Sequence, residues 1–174
     1  TCALPIYYGI ASTKLFIEQM CNFYSRIYKT KFIAIRHSNI YGPNDKFDIE
    51  HGHVLASLIV KAFNSTDYLE IWGDGSEKRD FLYINDFLNI IEILDSYEMS
   101  EQFEVYNVGS GKLISINQLA TKIINLLQKN LNIINVKDGR QLKIDISLNM
   151  DKIFNKFGWK AKTELETGLL KTCE

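Results

Sequence analysis

The groups in this chain most able to do chemistry sit in two polar clusters, each following a short apolar run, and near three histidines. The first cluster is Arg36-His37-Ser38-Asn39. It follows Ile33-Ala34-Ile35 and is stopped by Tyr41-Gly42-Pro43. A β-branched run that ends this way delivers polar side chains to the carboxyl edge of a parallel sheet, where ligands bind. The second cluster is Trp72-Gly73-Asp74-Gly75-Ser76-Glu77-Lys78-Arg79-Asp80-Phe81. Arginine offers phosphate a planar fork and lysine a point charge, and tryptophan can stack on a base or cover a sugar face. An imidazole titrates near neutral pH and suits proton exchange. His53 opens a helical stretch, with His51 two residues earlier as its competitor.

Each residue also has a plainer reading. Lys14 on a helix can be a solvated lysine, and Trp72 at a strand end can be core. Arg79 can form a surface ion pair with Glu77 or Asp80 that is worth little. Asn39 can support the turn after it, and His53 can simply start a helix. Asn107 and Asp145 read as structural.

The elements that must position these groups alternate between helix and strand. Residues 10–28 carry Leu15, Phe16, Met20, Phe23, Tyr24 and Ile27 at helical spacing. Residues 32–36 read as a short buried strand, 39–52 as loop and 53–63 as helix. Residues 69–72 and 80–84 read as strands around the turn signal Gly73-Asp74-Gly75. Asn85 or Asp86 is expected to cap a helix over 87–97, and Ser115 one reaching about residue 128. Strands are expected at 104–108, 131–136 and 143–146. Asn149 or Asp151 should start a short helix that stops at Gly158, with a last helix over 164–171. This alternation makes the class α/β. A Gly-rich phosphate turn after an early strand is not found in these 174 residues. Gly109-Ser110-Gly111 follows a strand but lacks the third glycine, so it reads as a plain strand-to-helix turn.

Composition narrows the classes. A formal net charge of -1 gives no basic field for nucleic acid. No apolar run reaches the roughly 18 residues of a membrane span. Apolar content of 46% and charged content of 24% suit a globular domain with a real core. Cys2, Cys21 and Cys173 show no metal-type spacing, and an odd count is a poor disulfide framework. A reducing cytoplasm is the expected compartment, and no metal site is expected. Residues 1–6 read as an artefactual leader foreign to the fold, with the domain over 7–174.

In order along the chain stand Tyr8-Gly9, Lys14-Leu15-Phe16-Ile17-Glu18, Arg36 with Asn39-Ile40-Tyr41-Gly42-Pro43, and Trp72-Gly73-Asp74-Gly75 through Arg79-Asp80-Phe81. Asn85-Asp86, Tyr106-Asn107-Val108-Gly109-Ser110-Gly111 and Phe157-Gly158-Trp159 follow. This ordered set resembles the extended short-chain dehydrogenase/reductases, the NAD-dependent epimerase/dehydratase family. It corresponds to that family's C-terminal half. The resemblance implies an incomplete Rossmann-type, NAD(P)-binding fold with the small substrate-binding subdomain. It also implies an enzyme of nucleotide sugars whose NADP or NAD is bound mainly by an absent N-terminal half, and a homodimer in the full-length protein.

Gly42-Pro43-Asn44-Asp45-Lys46-Phe47-Asp48 followed by His53-Val54-Leu55 is most similar to the GDP-L-fucose synthase branch. That branch carries out 3,5-epimerisation and 4-keto reduction of GDP-4-keto-6-deoxymannose, so a GDP-sugar is favoured. By this resemblance Lys14 would bind the nicotinamide ribose and acidify the catalytic tyrosine. His37, Ser38, Asn39 and Ile40 would touch the cofactor, mainly through backbone. His53 would be the acid/base group near nicotinamide and sugar. Asn39, Lys61, Trp72 and Arg79 would contact the sugar nucleotide. The alternatives are a UDP-sugar 4-epimerase, a sugar 4,6-dehydratase, or a non-catalytic oligomerisation remnant.

One departure concerns the acid. The family places tyrosine four residues before lysine, on one helix face; here that position is Ile10, which cannot donate a proton. Tyr8, six residues before Lys14, is the candidate acid. It requires either an insertion across Ala11-Ser12-Thr13 or a Tyr8 that precedes the helix and bends back. The family's serine and cysteine partners would lie in the absent half.

Overall fold

Most of the apolar runs pair as parallel strands, and helices cover them. A computed structural model describes residues 5–49, 51–136 and 147–173. The strand expected over 143–146, and Asp145 with it, lies outside the described residues. Helix α1 (Pro5–Tyr28) leads into β1 (Phe32–His37) and β2 (Asn39–Tyr41). Next come α2 (Val54–Asn64), β3 (Tyr68–Trp72), β4 (Lys78–Tyr83) and α3 (Ile84–Asp95). Then follow β5 (Phe103–Val108), β6 (Leu113–Ser115), α4 (Ile116–Leu126) and β7 (Asn132–Val136). The short helices α5 (Asp151–Phe157) and α6 (Leu165–Cys173) come last.

Strand β1 runs parallel to β5, with Ile35 opposite Tyr106, and β3 runs parallel to β7, with Glu70 opposite Ile134. Strand β4 lies between β2, parallel to it, and β6, antiparallel to it. One expectation changes here. Residues 39–41, read as loop, form β2, because Ile40 can join the edge of β4 opposite Leu82. The Gly73–Gly75 turn lies between β3 and β4 as expected, with φ of 81° and 67° at its two glycines, and it sends the chain from one sheet to another. A turn signal marks reversal, whereas the partner of each strand is set by distant residues.

Strand β4 feeds two cores, because alternate side chains leave opposite faces of a strand. Phe81 and Tyr83 join Tyr41, Leu55, Leu69, Leu119, Ile123 and Leu169 beneath α2, α4 and α6. Leu82 joins Ile90, Leu94, Tyr106, Val108, Ile153 and Trp159 beneath α3 and α5. The first core underlies the cavity described below.

Helix ends follow local chemistry where it is strong. Ser115 caps α4 in a reciprocal capping box with Gln118. Gly158 ends α5 in the left-handed conformation. The cap expected at Asn85 or Asp86 does not form: α3 starts after Tyr83 with no side-chain cap. Asp86 Oδ2 instead accepts from the Thr163 N–H at 2.9 Å and ties the segment before α6 to α3.

Helix α1 turns its polar side inward. Ser25 is buried, and Glu18, Cys21 and Asn22 on the same face are half-buried. Arg36 of β1 grips Glu18 through two bonds, Nε to Oε1 at 2.8 Å and Nη2 to Oε2 at 2.6 Å. That guanidinium, through its hydrogen bonds above all, holds the Glu18 carboxyl below its ordinary value. Ile10, Leu15, Phe16, Ile17, Phe23 and Ile27 are each more than half exposed.

Candidate active site

A cavity of about 460 Å³ opens between the start of α2, the end of β3 and the start of β4. Its wall includes Asn39, Ile40, His53, Lys61, Trp72 and Arg79. Each arrives for a local reason. Asn39 stands where β1 passes into β2, its amide donating to the Asp80 carbonyl at 2.9 Å. His53 is the residue before the first turn of α2, and Lys61 lies two turns further on. Trp72 ends β3 on the face opposite the buried Leu69 and Ile71.

Beside these polar groups the lining includes the apolar Leu55, Leu58, Ile71, Phe81 and Ile116. The Lys61 ammonium stands 4.7 Å from the Trp72 ring centroid. The Trp72 indole N–H donates to Glu70 Oε1 at 3.0 Å, which fixes the plane of the ring. Trp72 is 55% exposed, so it is not core. Arg79 is ion-paired with Glu77, also on the wall. The ion pair of the plainer reading is thus formed, with Glu77 as the partner, and it lies on the cavity wall.

Other candidates stand elsewhere. Lys14 is exposed on α1 and lies outside the cavity lining, as do His37 and Ser38. His37 Nδ1 lies 2.7 Å from the Ser38 carbonyl, and its ring meets Phe87 edge-on. The Ser38 hydroxyl donates to Asp80 Oδ1 at 3.0 Å. His51 is also outside the lining and lies 3.6 Å from Asp48 in an exposed pair. Helix α1 is continuous from Pro5, so Tyr8 neither precedes it nor bends back. At ~100° per residue, positions 8 and 14 are about 120° apart around the axis. Asn107 is structural, donating to the Asn149 carbonyl at 2.8 Å.

Sequence reasoning passed over Asp80, which is 2% exposed. Its Oδ1 accepts from the Ser38 hydroxyl, the Ser110 N–H and the Ser110 hydroxyl, and its Oδ2 from the Gly111 N–H. The Gly109-Ser110-Gly111 turn thus receives an internal carboxylate where a phosphate loop would receive an external anion. A Cβ at Gly109 would stand 2.8 Å from Asp80 Oδ2, which explains that glycine. The signal was present as an aspartate directly before the apolar run Phe81-Leu82-Tyr83 of a strand.

An α/β assembly of parallel strands, with a cavity at strand ends and a helix start, is a Rossmann-type arrangement. Residues 7–109 match the NAD dependent epimerase/dehydratase family, and the chain belongs to that family. Over 176 residues it is 35% identical to a GDP-L-fucose synthase of Sinorhizobium fredii, covering 97% of this chain and 53% of that protein. It is 30% identical to a GDP-mannose 3,5-epimerase of Arabidopsis thaliana, covering 93% and 41%. The crystal structure of a UDP-glucose 4-epimerase from Thermotoga maritima with UDP-glucose superposes with a TM-score of 0.78 at 26% identity, covering 95% and 52%. The chain spans about half the length of the relatives it matches. Among the described residues no helix is long and apolar enough to cross a membrane.

Proposed function

We propose that this chain is the substrate-binding part of an NAD(P)-dependent nucleotide-sugar epimerase/reductase. Its substrate is a GDP-4-keto-6-deoxy sugar, as in GDP-L-fucose synthase. The observation that carries this reading is the single cavity walled by Asn39, His53, Lys61, Trp72 and Arg79. His53 and Lys61 are eight residues apart along α2, about 12 Å at 1.5 Å per residue. That span leaves room for a sugar at one end and its diphosphate at the other.

The roles follow from residue chemistry. Lys61 and Arg79 bind the pyrophosphate, Arg79 exchanging Glu77 for phosphate oxygen. Trp72 covers the base or the sugar face. Asn39 donates to a sugar hydroxyl. His53 removes and returns the proton beside the ketone, as a positioned acid/base side chain does. Tyr8 is the proposed proton donor to the developing alkoxide, and Lys14 the proposed contact of the nicotinamide ribose. Asn39, Ile40 and His53 on the cavity wall fit the nicotinamide end of NADP or NAD, with the backbone of His37. Ser38 fits less well, since Asp80 and the Val108 carbonyl already engage its hydroxyl and N–H. When bound, the cofactor supplies the hydride for ketone reduction.

Titrating the chain with GDP-mannose and with UDP-glucose, followed through tryptophan fluorescence, tests the reading. GDP-mannose should bind more tightly. Lys61→Ala and Arg79→Ala should each weaken it about tenfold, which is about 1.4 kcal/mol. Tighter binding of UDP-glucose would favour a UDP-sugar 4-epimerase or 4,6-dehydratase. With NADPH and a GDP-4-keto-6-deoxy sugar this chain should give no turnover, because no Gly-rich helix start to hold the dinucleotide lies within it.

The outward apolar side of α1 favours a second role, as the contact of a homodimer in the full-length protein. A cytoplasmic location fits both roles. A defined dimer in a sizing experiment would support the contact; a monomer at high concentration would count against it.

A further inference from the structure

We infer that Asp45 is the positioning residue for the His53 imidazole, drawing Nδ1 to its carboxylate so that Nε2 is presented to the cavity. The inference rests on the reading of His53 as the acid/base group. Both residues stand on the cavity wall, with Asp45 Oδ1 3.8 Å from His53 Nδ1. The two are unlike in burial: the aspartate side chain is 14% exposed and the histidine 83%. A largely buried carboxylate beside an open imidazole is the arrangement in which the acid orients and the ring reacts.

One oxygen of the carboxylate lacks a donor among the described residues. Oδ1 accepts from the Lys46 N–H at 2.7 Å, and Oδ2 is buried with no hydrogen-bond partner among the described residues. Buried polar atoms are rarely left so, because each costs about 1–3 kcal/mol. The His53 ring stands beside this carboxylate, its Nδ1 3.8 Å from Oδ1, and an Nδ1–H would give the carboxylate a further donor. At 3.8 Å the contact is longer than a hydrogen bond. Such bonds are often long before a ligand closes the site and tighten in the complex.

The intervening loop holds the two groups in register. Asn44 takes φ of 65°, and the Asp45 N–H donates to the Gly42 carbonyl at 3.3 Å. The Gly52 N–H and the Ser57 hydroxyl both donate to the Asp48 carbonyl, at 3.0 and 2.8 Å. A Cβ at Gly52 would lie 2.3 Å from that same oxygen, so the loop closes onto α2 only with glycine there. His53 follows directly. An imidazole that donates from Nδ1 keeps its lone pair on Nε2, the form able to take a proton from a sugar carbon.

Long-range proton–nitrogen NMR of the ¹⁵N-labelled chain near pH 8 tests this, with His53 assigned by loss of its signals in His53→Gln. The wild-type ring should be mainly the Nδ1–H form. Asp45→Ala should reverse that population toward the Nε2–H form that free histidine favours, while the His51 signals stay in place. A wild-type His53 that is mainly Nε2–H overturns the inference without any variant, which keeps the test decisive even if Asp45→Ala fails to fold. An Nδ1–H form that persists in Asp45→Ala overturns it too. The measurement reads the ring and needs no turnover, so its failure is distinct from failure of the acid/base role.

Discussion

Replacing Asp80 with asparagine leaves one backbone N–H facing an amide N–H whichever way the new side chain is turned. Three donors meet Oδ1 and one meets Oδ2. If the amide nitrogen takes the Oδ2 position, the Gly111 N–H, now 2.9 Å from an acceptor, faces a donor. If it takes the Oδ1 position, the Ser110 N–H, also at 2.9 Å, is stranded. The serine hydroxyls can rotate to accept, but the backbone groups cannot. A stranded buried donor costs about 1–3 kcal/mol, and the remaining bonds weaken when the acceptor loses its charge. The expected loss for Asp80→Asn is therefore roughly 2–4 kcal/mol, against a total stability of about 5–15 kcal/mol. Asp80→Ala strands all four donors and should lose more. Urea denaturation followed by fluorescence of Trp72 and Trp159 measures both, and the midpoint should fall with the slope unchanged. The local reading is refuted if Asp80→Asn stays within about 0.5 kcal/mol of wild type, the range of an ordinary surface change.

Three further outcomes follow from packing and charge. Burial works to raise the Glu104 carboxyl, but hydrogen bonds from Tyr106, Lys156 and Tyr97 and the Lys156 charge outweigh it, so its pKa is lowered. The stability it contributes is thus present above the unfolded-state value near 4.3 and is lost as pH falls through the folded value. Urea midpoints between pH 7 and 3 should show that part of the acid loss removed in Glu104→Gln. A Cβ at Gly168 would lie 2.0 Å from the Tyr41 hydroxyl oxygen and 2.8 Å from Cζ of that buried ring. Gly168→Ala should cost about 1–3 kcal/mol, and Tyr41→Phe in the same chain should recover part of the loss in thermal melts. Ser115→Ala breaks the capping box of α4 and should cost about 1 kcal/mol, seen as a lower melting temperature.

The amino-acid sequence by itself determined the α/β class, most of the helices and strands, and the stops at Ser115 and Gly158. Those depend on side-chain periodicity and on capping groups within a few residues of the element they control. Through its resemblance to the family it also marked Asn39, His53, Lys61, Trp72 and Arg79. Only the tertiary structure decided which of them share a cavity. His53 was separated from His51 by the loop that closes on Gly52, and Trp72 from a core role by the direction of β3. Strand β2, the seat of Asp80 and the diversion of Asp86 to Thr163 depend on partners 30 to 77 residues away. The inward polar side of α1 depends on Arg36 finding Glu18 across 18 residues. Contacts at such separations leave no periodic trace along the chain, because the partner's distance is set by the fold and not by the spacing of neighbours.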